Sequence, residues 1–259
     1  MFFRRSLLVA AAVLSFGIGA AGAQQPSFDI VGLKLGMTES EVIAALKAHD
    51  ATLKIQSIQG AYSYTDGVSN FQTEPFLSRV EGHAAKPASQ KADFIILFTP
   101  PPQGGRVWAI ERQQPIATNQ PTQEQYAAAL KEKYGPPTAT SPGGAHFAWD
   151  FPAGKPNCIP RPPDRPGFPA YRPGAGDDLN FLLNLWQKKK LAPADLSTCA
   201  SRLHYVLATT NGQVISSFTA SLIDVAAYAT SHAAANRQVQ ALEDKARKAR
   251  ESKGQAPKL

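Results

Sequence analysis

A stretch at residues 32–50, GLKLGMTESEVIAALKAHD, constrains the fold of this chain more than any other. Thr38 and Glu41 have the spacing of a capping box, in which each side chain accepts a hydrogen bond from the other residue's backbone N–H. Met37 and Val42 hold the two positions of a hydrophobic staple, which fixes how the chain enters a helix. The stretch therefore predicts a short helix that begins after Thr38. Its buried face would carry Val42, Ile43, Ala45, Leu46 and His49.

A diverged copy of this pattern follows 84 positions later (122 minus 38), with Thr122 in place of Thr38 and Gln125 in place of Glu41. The second copy predicts a helix with a T-x-x-Q capping box that ends at Gly135, ahead of two prolines. Because the cap falls at the same place in both copies, the spacing favours an internal repeat over a chance match. The buried face of this helix would carry Tyr126, Ala127, Leu130 and Tyr134.

Segments with the alternation of β-strands follow each helix. DFIILFT at 93–99 and RVWAIER at 106–112 predict an antiparallel hairpin with a long exposed tip. In the second of these strands, alternation puts Trp108 and Ile110 on one face of the sheet. Asn211-Gly212 predicts a tight hairpin, because both residues tolerate positive φ. The remaining strands are predicted at 53–58, 61–64, 145–151, 179–186, 202–210 and 213–220, whereas 71–80 is apolar without regular alternation.

Two rounds of one helix followed by about four strands predict an α+β fold with antiparallel sheets rather than βαβ units. Ser221 and Asp224 predict the start of a C-terminal helix that runs to about Glu251, and its distal part is expected to project or fray. The expected units are a first α+β repeat at 24–113, a second at 114–221 with a proline-rich surface loop at 152–178, and a C-terminal helix and basic tail at 222–259.

The N-terminus has the three parts of a secretory signal peptide, which we place at 1–23. Arg4 and Arg5 precede an apolar run at 7–18, and Ala21-Gly22-Ala23 supplies the small residues for cleavage after Ala23. The apolar run is shorter than the roughly 20 residues of a membrane-spanning helix. We therefore expect a periplasmic or secreted protein without a transmembrane segment. The paired arginines leave twin-arginine export open.

The chain has two cysteines, Cys158 and Cys199. In an exported protein an even count indicates a disulfide, and their spacing fits neither a C-x-x-C redox motif nor a zinc cluster. Closing a loop of 41 residues (199 minus 158) would stabilise the fold by about 4 kcal/mol on the chain-entropy estimate. Two free buried thiols are the alternative.

Few residues combine into a pattern for catalysis or cofactor binding. The five histidines are scattered without metal-ligand spacing, and the chain has no nucleotide-binding glycine motif or serine-nucleophile motif. His146 and His204 fall inside predicted strands, where lining a sheet face is the simpler interpretation and a role in a hydrolase is the other. We expect no cofactor, no bound metal and no enzymatic activity.

Two groups of residues could instead contact a partner. Trp108 and Trp149 are core aromatics on the simplest interpretation, but they would be partner-binding anchors if one sheet face stays open. The proline-rich loop combines arginines with aromatic residues, a composition that also suits polyanions such as lipid headgroups. The candidate contacts in this loop are Arg161, Arg165, Phe168, Tyr171 and Arg172.

The first helical stretch resembles the G-x-x-x-G-M-T/S-x-x-E-V opening of the SmpA/OmlA family, the BamE-like lipoproteins of bacterial outer-membrane assembly. The resemblance implies helices packed on a small antiparallel sheet, and tandem copies of such a unit look like the β-lactamase-inhibitor-protein fold. This chain lacks the lipid-bearing cysteine of the family, and Gln120-Pro121 replaces the Gly-Met step in the second copy. The matching residues are Gly32, Gly36, Met37, Thr38, Glu41, Val42 and Leu46.

The hypothesis that follows is an exported, non-enzymatic protein of the bacterial envelope that binds another envelope protein as an adaptor or inhibitor. The first alternative is a binder of envelope polyanions or lipid headgroups, through the loop from Lys155 to Arg172 and the tail from Arg237. The second alternative is an unrecognised hydrolase around His146 or His204. Export argues against a nucleic-acid partner.

Overall fold

The structure of this chain is a computed structural model that describes residues 28–84, 93–158, 196–211 and 213–252. The statements below concern these residues. The predicted signal peptide, the strand predicted at 179–186 and most of the proline-rich loop lie outside them.

The predicted α+β class is confirmed by three helices and ten strands in the described chain. The helices are α1 (Glu39–His49), α2 (Gln123–Tyr134) and α3 (Val225–Glu251). The strands are β1 (Lys54–Gly60), β2 (Ser63–Thr65), β3 (Asn70–Gln72), β4 (Phe76–His83), β5 (Phe94–Phe98), β6 (Val107–Pro115), β7 (Ala139–Thr140), β8 (His146–Phe151), β9 (Ser201–Thr210) and β10 (Val214–Ile223).

Eight of these strands form one antiparallel sheet in the order β1-β4-β5-β6-β10-β9-β8-β7. Four paired strands follow α1 and four follow α2, and the two rows meet in the middle of the sheet where β6 pairs with β10. At this central seam Ile110 lies opposite Leu222 and Gln114 lies opposite Phe218. The hairpins predicted at 93–112 and around Asn211 are both present.

Both predicted capping boxes are present. The Thr38 N–H donates to the Glu41 carboxylate at 2.8 Å, and the Thr122 N–H donates to the Gln125 amide oxygen at 2.9 Å. In each box the second residue's N–H donates back to the threonine hydroxyl. α2 ends at Gly135, as predicted, with a φ of 77° that favours glycine.

α1 and α2 pack on the same side of the sheet, here named the helical face. Val42 and Leu46 of α1 share one buried cluster with Leu130 and Tyr134 of α2. Fully burying an aliphatic side chain of this size stabilises a fold by about 1.5–3 kcal/mol. The cluster therefore holds the helices in place. Its contributions from the sheet include Ile96, Ile110, Phe147, Trp149, Leu203, Tyr205, Phe218 and Leu222.

The opposite side of the sheet, here named the far face, carries a smaller cluster with α3. A β-bulge in β6 explains why Trp108 belongs to it: Phe98 pairs with Val107 and Leu97 with Ala109, so Trp108 is the extra residue. The prediction that Trp108 and Ile110 share a face was wrong because this bulge reverses the alternation. The members of the far-face cluster include Trp108, Ala109, Ile223, Val225, Tyr228 and Ala229.

The start of α3 corrects a second prediction. Ser221 lies within β10, and the cap is Asp224 alone, whose carboxylate accepts from the Ala227 N–H at 2.8 Å. The helix then runs along a ribbon of β2 and β3, which pair with each other outside the main sheet. Near its end the Arg250 guanidinium lies against Gly67. The distal part of this helix is therefore docked rather than projecting.

Candidate functional site

The two tryptophans predicted as possible partner contacts are buried. Trp108 is 3% exposed, and its ring packs on Tyr228 with centroids 4.6 Å apart. Trp149 is 2% exposed and donates from Nε1 to the Gly135 carbonyl at 3.0 Å. The structure corrects the anchor hypothesis for both rings, because α2 covers Trp149 on the helical face and α3 covers Trp108 on the far face. The simpler interpretation, that they are core aromatics, applies.

The five residues predicted as contacts in the proline-rich loop lie outside the described residues, so their role stays a prediction. They are Arg161, Arg165, Phe168, Tyr171 and Arg172. Part of the predicted basic tail is described as the end of α3. There Arg247 Nη2 lies 2.7 Å from Asp244 Oδ1, and Arg250 is held beside the β2–β3 turn. These contacts use some of the positive charge that a polyanion site would need.

Cys158 and Cys199 form the predicted disulfide, with Cα atoms 5.7 Å apart. Cys199 is 1% exposed and belongs to the far-face cluster, against which Cys158 packs. Nearby, the Ala200 N–H donates to the Pro156 carbonyl at 2.9 Å. The bridge therefore ties the chain that leaves β8 to the chain that enters β9.

The structure brings together the two histidines considered for a hydrolase. His146 on β8 and His204 on β9 lie on the far face, with Nδ1 and Nε2 3.4 Å apart. Burial lowers the pKa of His204 to about 3, and the nearby His146 and Arg202 add to this effect. Burial also lowers the pKa of His146. Among the described residues no carboxylate bonds to either imidazole in the way that the orienting acid of a Ser-His-Asp triad would.

Buried polar residues surround this histidine pair. Arg202 is 3% exposed, and its Nε and Nη2 donate to the two oxygens of Asp150 at 2.7 and 3.1 Å. Glu111 is 2% exposed and accepts from Gln113 Nε2 at 2.5 Å. The pair of Arg202 and Asp150, buried and hydrogen-bonded in this way, is typical of structural polar networks.

A cavity of about 660 Å³ lies between α2 and the turn that connects β7 with β8. Ala127 and the buried Phe147 line it, together with the exposed Glu124 and Lys131. Because these two charges are opposite in sign, the cavity has no clear preference for a cation or an anion. The charges of its lining therefore do not indicate one class of ligand.

A second cavity, of about 320 Å³, lies between the β2–β3 ribbon and α3, and is here named the ribbon groove. Its volume falls at the lower end of the range for ligand sites, roughly 300–1,000 Å³. Three aromatic residues contribute most of its apolar lining, together with Pro101 and Leu242. The complete lining is Tyr62, Tyr64, Gln72, Thr73, Glu74, Phe76, Pro101, Gln238 and Leu242.

A tight turn at the tip of the ribbon determines what the ribbon exposes. Asp66 Oδ1 accepts from the backbone N–H groups of Ser69 at 2.6 Å and Val68 at 2.8 Å. These hydrogen bonds, with a smaller effect of Arg250, hold the pKa of Asp66 below its ordinary value. The turn leaves Val68 76% exposed, and Phe71 on β3 is 40% exposed. They are the two exposed large hydrophobic side chains in the described part of the chain.

No group of three or more His, Cys, Asp or Glu residues in the described ranges is placed to hold a metal ion. No helix in those ranges combines the length and the apolar character needed to cross a bilayer.

Comparison with known proteins identifies no relative. No protein-family model matches this chain, and neither the curated proteins nor the solved structures contain a significant match. The resemblance to the SmpA/OmlA family stays a prediction.

Sequence reasoning did not find the ribbon groove. The signal that could have found it is Asp66-Gly67, a hairpin dipeptide of the same kind as Asn211-Gly212. Aromatic residues flank this dipeptide at Tyr64 and Phe71, where they stack with centroids 5.4 Å apart. The contribution of α3 to the groove lies far away in sequence and leaves no local signal.

Proposed function

We propose that this chain is an exported, non-enzymatic binding protein of the bacterial envelope whose partner docks on the β2–β3 ribbon beside α3. The single observation that supports this proposal is the exposure of Val68 and Phe71 on one ribbon. Scattered exposed apolar residues are ordinary, whereas apolar residues grouped next to a groove are typical of interaction sites.

The proposal includes the tandem organisation and the likeness to the SmpA/OmlA module. What supports it is the order of elements, since each capped helix is followed by four strands of the same sheet. The β2–β3 ribbon has no counterpart among the described elements after α2. A feature present in one unit alone is a reasonable place for a function that the shared framework does not supply.

The hydrolase alternative has weaker support. A general base works best when its pKa lies near the working pH. Burial lowers the pKa of His204 to about 3, which is far below neutral pH. The polyanion alternative depends on the loop from Lys155 to Arg172 and the tail from Arg237, and most of that loop lies outside the described residues.

Site-specific photo-cross-linking in cells that export the protein would test the proposal. We expect Phe71→p-benzoylphenylalanine to capture a defined partner, and Ala128→p-benzoylphenylalanine, at an exposed position on α2, not to capture it. Adding Val68→Ser to the Phe71 variant should reduce the yield of the adduct. Equal adducts from both positions, or none from the ribbon, would contradict a docking site there.

A further inference from the structure

We infer that the ribbon groove binds an extended, proline-rich segment of a partner protein that carries a basic residue. This inference rests on the proposed binding function and names the chemical class of the ligand. Three properties of the groove point to this ligand: its rings, its hydrogen-bond donors and its charge.

The rings suit proline. The Tyr62 and Phe76 rings lie 5.1 Å apart at one end, and Tyr64 is supported by its stack with Phe71. Pro101, at the tip of the β5–β6 hairpin, and Leu242 of α3 supply the remaining apolar contacts. Grooves lined by aromatic side chains accept the rings of a polyproline II helix, which is already extended and loses little conformational entropy on binding.

The hydrogen-bond donors suit the same ligand. A proline-rich segment has free backbone carbonyls, because its backbone is fully solvated and most of its residues lack an N–H. The lining offers the hydroxyls of Tyr62 and Tyr64 and the amides of Gln72 and Gln238. Among the residues that the structure describes, no hydrogen bond engages these four side chains, so their donors can reach ligand carbonyls.

The charge of the groove selects a basic residue. Glu74 is the charged member of the described lining, and its side chain is exposed. Arginine is the preferred partner of a carboxylate at such a site, because its guanidinium can donate two parallel hydrogen bonds. A proline-rich segment with an arginine therefore matches the rings, the donors and the carboxylate together.

Fluorescence anisotropy with the full chain and the labelled peptide PPRPPRPP would test this inference. We expect saturable binding, weaker binding of PPAPPAPP, and no binding of GSRGSRGS, which keeps the charge without the prolines. Tyr64→Ala should reduce affinity for PPRPPRPP at least about tenfold, as for a central aromatic contact. Circular dichroism would verify that this variant is folded.

A matched pair of charge variants isolates Glu74. Glu74→Gln should weaken PPRPPRPP about threefold, which is typical of an exposed ion pair, and leave PPAPPAPP unchanged. Glu124→Gln, at the other cavity, should change the affinity for neither peptide. Absence of peptide binding, binding that survives Tyr64→Ala, or equal binding of GSRGSRGS would overturn the inference. If the Phe71 cross-linker still captures a partner in that case, the ligand class is wrong while the docking site stands.

Discussion

The half of the sheet that follows α1 and the half that follows α2 share an order of elements but differ on the far face. On β4, Arg79 Nε and Glu81 Oε1 lie 2.8 Å apart without hydrogen-bond alignment, and the Arg79 side chain is 38% exposed. Across β8 and β9, Asp150 holds Arg202 with two hydrogen bonds, and the arginine side chain is 3% exposed. The two carboxylates have similar exposure, 16% for Glu81 and 14% for Asp150, so the halves differ in the arginine, which is partly exposed in one and buried in the other.

This difference teaches that a similar framework can carry two kinds of far face. In the second half the far face is a hydrogen-bonded polar layer with a disulfide beside it. In the first half the chain extends into the β2–β3 ribbon and builds a groove with α3. We infer that the second half specialises in stability and the first in contact with a partner. Four predictions test this contrast, in order of decreasing effect.

The largest effect is expected from the two ion pairs. Asp150→Ala should destabilise the protein by about 3–5 kcal/mol, because it removes one member of a buried ion pair and both hydrogen bonds that Asp150 accepts from Arg202. Glu81→Ala, the matched variant in the first half, should cost about 0–1 kcal/mol, because the Arg79 side chain that it leaves is 38% exposed and solvent can screen its charge. Urea unfolding curves would measure both values. Equal losses would break the contrast between the halves.

The disulfide belongs to the second half alone. Cys158→Ser with Cys199→Ser should lower the free energy of unfolding by about 4 kcal/mol, because the unfolded chain regains the freedom that the bridge removes. Amide hydrogen exchange would show whether β8 and β9 lose protection while β4 and β5 keep it. A uniform loss across all four strands would mean that the sheet unfolds as one unit, and that stability is not divided between the halves.

The histidine pair should make the second half sensitive to acid. The unfolded chain binds a proton on His204 near pH 6.5, whereas the folded chain keeps it neutral down to about 3. The unfolded state therefore gains protons first as pH falls, and stability is lost below pH 6.5. Between pH 7.5 and 5 this residue should account for about 2 kcal/mol.

The control for this prediction is a comparison of pH profiles. His204→Gln should flatten the profile of urea midpoints, even though it also removes the contact with His146. Burial lowers the pKa of His232 on α3 to about 4. His232→Gln should therefore remove a separate part of the pH dependence of the urea midpoint. If His204→Gln leaves the pH profile unchanged, the His204 imidazole of the original chain is not a buried, neutral group.

The smallest effect concerns the caps, where the two halves should agree. Thr38→Ala and Thr122→Ala should each cost about 1 kcal/mol at neutral pH. Only the first box contains a carboxylate, and hydrogen bonds from Thr38 hold the pKa of Glu41 below its ordinary value. The stabilisation by Glu41 is therefore lost as pH falls through its folded pKa. The penalty of Thr38→Ala should shrink in acid, and that of Thr122→Ala should not.

Local sequence rules predicted the parts of the fold that depend on neighbours in sequence. The capping boxes at Thr38 and Thr122 and the turn at Asn211 are of this kind. The cysteine bridge spans 41 residues, and the even cysteine count predicted it instead. The rules failed where a distant contact decides the outcome. The bulge at Trp108 depends on how β5 pairs with β6, and the docking of Arg250 depends on a turn at Gly67 far away in the chain. The ribbon groove combines both kinds of feature: Asp66-Gly67 indicates the ribbon, but the α3 residues Gln238 and Leu242 that complete the groove leave no local pattern.

The position of β10 has a consequence for the order of assembly. β10 is the last of the described strands in sequence, yet it lies in the centre of the sheet between β6 and β9. A chain that is synthesised from its N-terminus presents β6 as an unpaired edge until residues 214–223 follow. Unpaired edges attract other strands, so protection by chaperones would matter most in that interval. Truncation before Val214 should therefore produce an aggregating fragment rather than a smaller folded one.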